Sequence, residues 1–335
     1  DSSTGYVCDA KEQPVSVLVA LTAVLVGLAP GDRPHVLVVV GAAGTPEYGA
    51  AFQKWADRWQ TAAQKGSSEF VCIGREPEAK ESDRDQLQGF LTRLPRTGSA
   101  PLWVVLIGHG TDDGREARFN LRGPDVTARE LADWLGPVKR PVAVVNCTSA
   151  SGSFVTHLSG PDRVVVTATR SGSESNYARF GEHIANAIGD PTADLDKDGQ
   201  VSLLEAFLTA SDRVREFYRS EGRLATEHAL LDDNGDKLGS AADWFQGVRA
   251  VKRAKDGAPV DGTRAHQWHL IPSARERALP AEVRKRRDEL ELALAGLRDQ
   301  KGRIGEDEYY SRLEKLMVEL ARLYATASPA PVPKP

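Results

Sequence analysis

The chain has 335 residues, of which 41% are hydrophobic and 27% charged, the composition of a globular protein long enough for one large domain with appendages. Its formal net charge of −4 excludes the globally basic surface that phosphate backbones require, so no nucleic-acid partner is expected. Cys8, Cys72 and Cys147 are too few and too scattered for a disulfide framework, and no CxxC or Cys/His cluster points to zinc.

Nothing is charged from Gln13 to Gly31, and the core of that stretch, PVSVLVALTAVLVGLAP, is near the lower limit for a membrane span. Small residues around Gly27-Leu28-Ala29 resemble the end of a signal peptide, although Asp1, Asp9 and Glu12 make a poor n-region. Residues 1–30 therefore read as a signal-like or anchor segment, and the protein as exported or membrane-anchored, with a buried helix as the alternative. From Val36 the pattern becomes regular. VLVVV (36–40) is a strand, and Tyr48 to Gln64 has helical period with Phe52, Trp55 and Trp59 on one face. A strand at Glu69–Ile73, where Cys72 is a small buried residue, precedes a helix over Asp83–Leu94. LWVVLI (102–107) reads as a central strand covered on both faces. A helix opens on Thr127 with Glu130 as a capping box, followed by strands at Val142–Val145 and Val164–Thr169 and a helix from Tyr177 to Ile188. This alternation implies an α/β domain with a doubly wound, mostly parallel sheet, whose active sites lie at the carboxyl ends of strands.

Beyond about residue 250 the strand signals fade. Ala281–Arg298 and Asp307–Tyr324 are helical, and Tyr310, Leu313, Leu316, Met317, Leu320 and Leu323 follow 3-4 spacing, so residues 275–325 read as a helical hairpin available for packing or a protein partner. The run Arg284-Lys285-Arg286-Arg287 faces Asp288, Glu289 and Glu291 at helical spacing and reads as a solvated, ion-paired surface. Residues 326–335 form a Pro/Ala-rich tail.

Two strand ends carry chemistry. LWVVLI ends in Gly108-His109-Gly110, and VAVV ends in Asn146-Cys147, so the carboxyl edge of the sheet presents an imidazole and a thiol, the pair a cysteine peptidase requires. A histidine after a strand is also an ordinary loop residue. Residues 34 to about 250 resemble the legumain (asparaginyl endopeptidase) family within the caspase-like group that includes gingipains and clostripain, which share a strand ending in His-Gly and a second strand ending in the catalytic cysteine. Thr167-Ala168-Thr169-Arg170 and Glu174-Ser175-Asn176-Tyr177 stand where legumains have Ala-Thr-Thr-Ala and Glu-Ser-Ser-Tyr. The resemblance implies a caspase-like fold, a peptide or protein substrate, and a substrate pocket with Thr169, Arg170 and Glu174 at its rim, although Glu174 could equally cap the helix from Tyr177. It also moves the nucleophile position. Matching Ser151-Gly152 to the legumain Ser-Gly, or counting eight residues from Pro141 as in caspases, reaches Ser149 rather than Cys147. The expected function is a calcium-binding caspase/legumain-like cysteine endopeptidase with His109 as base and Cys147 as nucleophile in a remodelled loop; the alternatives are a Ser149 nucleophile and a catalytically inactive calcium-binding interaction protein.

Asp194-Leu195-Asp196-Lys197-Asp198-Gly199-Gln200-Val201-Ser202-Leu203-Leu204-Glu205 matches every constrained position of a twelve-residue EF-hand loop. Asp194, Asp196, Asp198, Gln200, Ser202 and Glu205 are its candidate ligand positions, and an all-oxygen shell of this size predicts Ca2+. EF-hands come in pairs, and Asp232-Asp233-Asn234-Gly235-Asp236 begins 38 residues after Asp194, with Asp243 at its twelfth position. Lys237 replaces the sixth-position glycine, so 232–243 is a degenerate second loop or an Asx-rich turn. His266-Gln267-Trp268-His269 lacks a third ligand and reads as surface, and Gly41-Ala42-Ala43-Gly44 lacks the spacing of a phosphate loop.

Overall fold

Strand period and helix period alternate along the chain because apolar residues recur every second position in one kind of segment and every third or fourth in the other. The computed structural model describes residues 33–76, 80–256 and 258–327, so the signal-like or anchor segment at 1–30, Cys8, and the tail from 328 lie outside it. β1 (His35–Val40) leads to α1 (Pro46–Lys65), β2 (Glu69–Ile73) to α2 (Asp83–Arg93), and β3 (Leu102–Ile107) to a small antiparallel sheet of β4 (Gly110–Asp112), β5 (Ala117–Phe119) and β6 (Val126–Thr127). α3 (Ala128–Leu135), β7 (Val142–Asn146), α4 (Phe154–Leu158), β8 (Arg163–Thr167), α5 (Phe180–Ala187), α6 (Leu203–Ser220), β9 (Leu230–Asp232) and β10 (Ser240–Ala241) follow. The main sheet has the order β10-β9-β8-β7-β3-β1-β2, parallel from β8 to β2 and antiparallel at the β9–β10 edge.

Helices cover both faces, which is why the central strands are apolar at nearly every position. On one face Val36, Val38, Val40, Trp103, Val105, Ile107, Ala143 and Val145 meet Phe52, Trp55 and Trp59 of α1 and residues of α5 and α6. On the other, Leu37, Val39, Leu102, Val104, Leu106, Val142 and Val144 meet α2, α3 and α4. Burying each such side chain contributes about 1.5–3 kcal/mol. Thr127 and Glu130 form the anticipated capping box of α3. Two boundaries differ from expectation: β8 ends at Thr167 and α5 starts at Phe180, because after Ala168, whose N–H still bonds Asn146 of β7, Thr169 and Arg170 are tied to loop residues Ser151 and Glu174.

α7 (Thr263–Gln267) and α8 (Ala274–Ala278) connect to a hairpin of α9 (Ala281–Asp299) and α10 (Glu306–Ala327). α10 runs past the boundary expected at 325, since no proline interrupts it before Pro329. The basic run is only partly a solvated face. Arg287 is largely buried, holding Glu276 at 2.6 and 2.9 Å and Asp288 at 2.7 Å, so it fastens α9 to α8. Among the described residues no helix is long and apolar enough to cross a membrane.

Candidate functional site

β3 stops at Ile107 because Gly108 takes φ 155°, and a Cβ there would lie 3.2 Å from the Gly41 Cα. That turn lifts His109 out of the pleat. Its Nε2 lies 3.1 Å from the Ala43 carbonyl, and its ring is enclosed by Tyr48, Phe52 and Tyr177 at centroid distances of 5.0, 5.3 and 6.3 Å. A carbonyl can only accept, so this contact places the proton of a neutral imidazole on Nε2 and leaves Nδ1 as the acceptor, the form a general base needs.

Cys147 lies deeper in the same α1 layer. The residue continues β7 by one position, its N–H donating to the Leu106 carbonyl at 2.9 Å, and it follows Ala143 and Val145 onto the face packed by α1 and α5. It has 0% exposure, and a Cβ added to Gly181 of α5 would fall 2.8 Å from the Cys147 Cβ. Burial pushes the thiol far above its ordinary value, which disfavours the thiolate that acts as nucleophile. The expectation that Cys147 is a nucleophile serving with His109 is opposed by this burial, which shuts the thiol away from any substrate and holds it protonated. Cys72, expected to be buried, is half-buried, and its thiol is also pushed up by burial.

The chain leaves the sheet at Thr148, whose N–H and hydroxyl both donate to Asn146 Oδ1, at 3.1 and 2.7 Å. Ser149 then lies against the residue after His109: its hydroxyl donates to the Gly110 carbonyl at 3.1 Å and accepts from the Gly110 N–H at 3.2 Å. Glycine is required at 110, since a Cβ would meet the Ser149 carbonyl at 2.3 Å. The single hydroxyl proton of Ser149 is therefore directed at a backbone carbonyl and not at an imidazole nitrogen. Ala150 turns through the left-handed region at φ 52°, with its N–H on the Glu174 carbonyl at 2.8 Å.

The three residues expected at a pocket rim differ in placement. Thr169 is fully buried, its hydroxyl accepting from Gly152 N–H at 3.1 Å and lying 3.2 Å from Ser151 Oγ, so it braces the loop from beneath and lines no rim. Arg170 is exposed, with Nε 3.1 Å from Glu174 Oε1. Glu174 does not cap α5. Its carboxylate accepts from the N–H groups of Arg170 and His228, at 3.0 and 3.1 Å, and pairs with His228 Nδ1 at 2.6 Å. The α5 N-terminus is held instead by Glu227, which accepts from the Arg179 and Phe180 N–H groups at 2.8 and 2.9 Å. A cavity of about 400 Å³ opens there, lined by Ala168, Phe180, Val214, Tyr218, Glu227 and His228 among others. Sequence reading missed Glu227 and His228. It also missed Tyr48 and Tyr177 around His109, although Tyr48 stands four residues before Phe52 on the aromatic face already recognised.

The Asp194–Glu205 loop converges as its spacing predicts. Oxygens of Asp194, Asp196 and Asp198 lie within 4.8 Å of one another, and Asp196, Glu205 and His266 form a second such group. Lys197 and Gly199 take φ 64° and 91°, and Asp194 accepts from both of their N–H groups, which folds the loop around its first carboxylate. Gln200 turns its side chain to the Ser273 N–H and leaves its main-chain carbonyl for the seventh-position role, while Ser202 and Glu205 form the capping box of α6. Hard oxygen donors on a tight turn suit calcium. His266, set aside in the sequence, places Nε2 3.0 Å from Asp196 Oδ2.

The degenerate loop 232–243 is not the partner of this one. Ser202 bridges His269, and Leu203 N–H bonds the Trp268 carbonyl, so segment 268–269 occupies that side. Asp243 does not close the second loop: it is exposed and lies 3.8 Å from Lys252 Nζ.

No protein-family model matches the chain, and no curated protein matches it. Among solved structures it is similar to the Drosophila initiator caspase Dronc at 15% identity and TM-score 0.40, over 69% of this chain and 92% of that one. Caspase-1 from Spodoptera frugiperda matches at 9% identity and TM-score 0.39, over 60% and 86%, and drICE at 9% and 0.36, over 62% and 89%.

Proposed function

We propose that the chain is a caspase-like, calcium-binding protein that engages peptide or protein segments at the carboxyl edge of its sheet without cysteine-based hydrolysis. The observation that carries this reading is the complete burial of Cys147 in the core beneath α1 and α5, where no substrate carbonyl can reach its thiol. The motif match to legumains and the strand order support the peptidase-like scaffold, and both sequence anchors put the nucleophile position at Ser149. A serine needs a base to become nucleophilic, and Ser149 is hydrogen-bonded to Gly110. Calcium at Asp194, Asp196, Asp198 and Glu205 would neutralise crowded carboxylates and stiffen the approach to α6. An exported location, as the apolar stretch before residue 31 suggests, would supply the high calcium concentrations at which extracellular modules are loaded.

A serine mechanism is the second reading, favoured by the His109–Ala43 contact that leaves Nδ1 as an acceptor. The deciding experiment incubates the full chain, saturated with calcium, with diverse peptide and denatured-protein substrates while recording binding and cleavage separately. Binding without cleavage is expected. Cleavage lost in Ser149→Ala would establish the serine mechanism, and cleavage lost in Cys147→Ala would restore the cysteine mechanism and overturn the proposal.

A further inference from the structure

The turn at Asp232–Leu238 fails as the paired second hand, yet its first half reproduces the frame of the calcium loop. At the fourth position Gly235 has φ 83° where Lys197 has 64°, and at the sixth Lys237 has 69° where Gly199 has 91°. The hydrogen bonds correspond as well. Gly235 N–H donates to Asp232 Oδ1 at 3.0 Å as Lys197 N–H does to Asp194 Oδ1 at 2.7 Å. Asp236 N–H donates to Asn234 Oδ1 at 2.8 Å, the counterpart of Asp198 N–H on Asp196 at 3.2 Å. Leu238 N–H donates to Asp236 Oδ1 at 2.8 Å, the counterpart of Gln200 N–H on Asp198 at 3.0 Å.

The loops diverge at one bond. Gly199 N–H bonds Asp194 Oδ2, whereas Lys237 N–H turns to Ser159 Oγ at 3.1 Å, so Asp232 Oδ2 receives no backbone donor and has only the Ser159 hydroxyl beside it, out of good hydrogen-bond geometry. Asp232 is 1% exposed, so water does not make up the loss. Asp236 Oδ2 is buried and unpartnered in the same turn. A poorly matched buried carboxylate oxygen is costly, and two in one turn are offset by a positive charge bound there. The nearby acids aggravate the demand, since Asp233 and Asp261 are also buried and use their oxygens on the Gly262, Ala265 and Asp233 N–H groups and on the Ser240 hydroxyl.

We propose that Asp232–Leu238 is a separate divalent-cation site of calcium class, formed by the free oxygens of Asp232 and Asp236 with the Asn234 side-chain and Leu238 main-chain carbonyls completing an oxygen set. It has no bidentate glutamate, so it binds more weakly than the Asp194–Glu205 loop, because fewer charged ligands close the shell. It lies at the end of β9 and is joined through Ser159 to the segment leading into β8, so an ion there fastens the antiparallel edge of the sheet.

Calorimetric titration of the chelator-treated full chain with Ca2+ alone tests the site. Two equivalents are expected in the wild type, one in Asp236→Asn and one in Glu205→Gln. Asp236→Asn keeps the Oδ1 acceptor of the turn and removes only the charge. A single equivalent lost in Asp236→Asn but retained in Glu205→Gln would uphold this site while sinking the calcium role of the first loop. A count that Asp236→Asn leaves unchanged overturns the proposal. As a readout that leaves this turn intact, Ca2+ added to Glu205→Gln should slow amide exchange at Asp236–Leu238, and no slowing there also overturns it.

Discussion

β3 and β7 are adjacent parallel strands that reach the same edge of the sheet, yet β3 delivers a reactive side chain to that edge and β7 does not. A glycine makes the difference. Gly108 breaks the pleat immediately after β3, so His109 leaves the sheet and finds Ala43. β7 has no such break before Cys147, whose N–H still pairs with Leu106, and period-2 alternation carries the thiol to the face of Ala143 and Val145. The end of an apolar run is therefore not the end of a strand. Parity within the pleat decides which residue reaches solvent.

The largest effect that would break this contrast is kinetic. Iodoacetamide should modify Cys147 in the native chain at least about 10³-fold more slowly than in the unfolded chain, because reaction must await opening of the core. Peptide mass spectrometry reads this directly, and labelling at the rate of a surface thiol would put Cys147 back at the edge. Next in size, Gly110→Ala should destabilise by about 3 kcal/mol in denaturant titration, since its Cβ has to displace the Ser149 carbonyl. A cost near zero would mean that the two strand-end loops are not in close contact.

Smaller substitutions sharpen the comparison. Cys147→Ser should cost about 2 kcal/mol by placing a hydroxyl in an apolar site. Ser149→Ala should cost about 1 kcal/mol through the lost bonds to Gly110. The reverse order would exchange the two environments. The smallest effect concerns Glu227, which accepts from the N–H groups of Arg179 and Phe180 at the start of α5. Burial raises its carboxyl above the usual range, despite donors from Arg179, Phe180 and Tyr218. The folded chain then holds this proton at pH values where the unfolded chain has released it. The contribution of this group is full below the unfolded value of about 4.3 and declines as pH rises through the folded value. Glu227→Gln should flatten that part of the stability–pH curve, and an unchanged curve would contradict the assignment.

Much of the fold was legible because its signals are local. The apolar run of β3, the aromatic face of α1 and the Thr127–Glu130 box each lie within one element. The convergence of the Asp194, Asp196 and Asp198 carboxylates was legible for the same reason, since they fall within five residues of one another. The parity of Ala143, Val145 and Cys147 was equally local and would have placed the thiol inward had alternation been followed one residue further. Contacts across long separations left no comparable mark: His266 meets Asp196 across 70 residues, and His228 meets Glu174 across 54.

The sequence by itself determined the alternating α/β order, the glycine turn that takes His109 out of the sheet, and the oxygen spacing of Asp194–Glu205, because periodicity, backbone freedom and ligand geometry act over a few residues. Only the tertiary structure decided that α5 closes over Cys147, that Ser149 rests on Gly110, and that Asp232 and Asp236 each bury an oxygen that no backbone N–H reaches. Those outcomes depend on which distant segments pack together, since burial is a property of the assembled layers and not of any one stretch of chain.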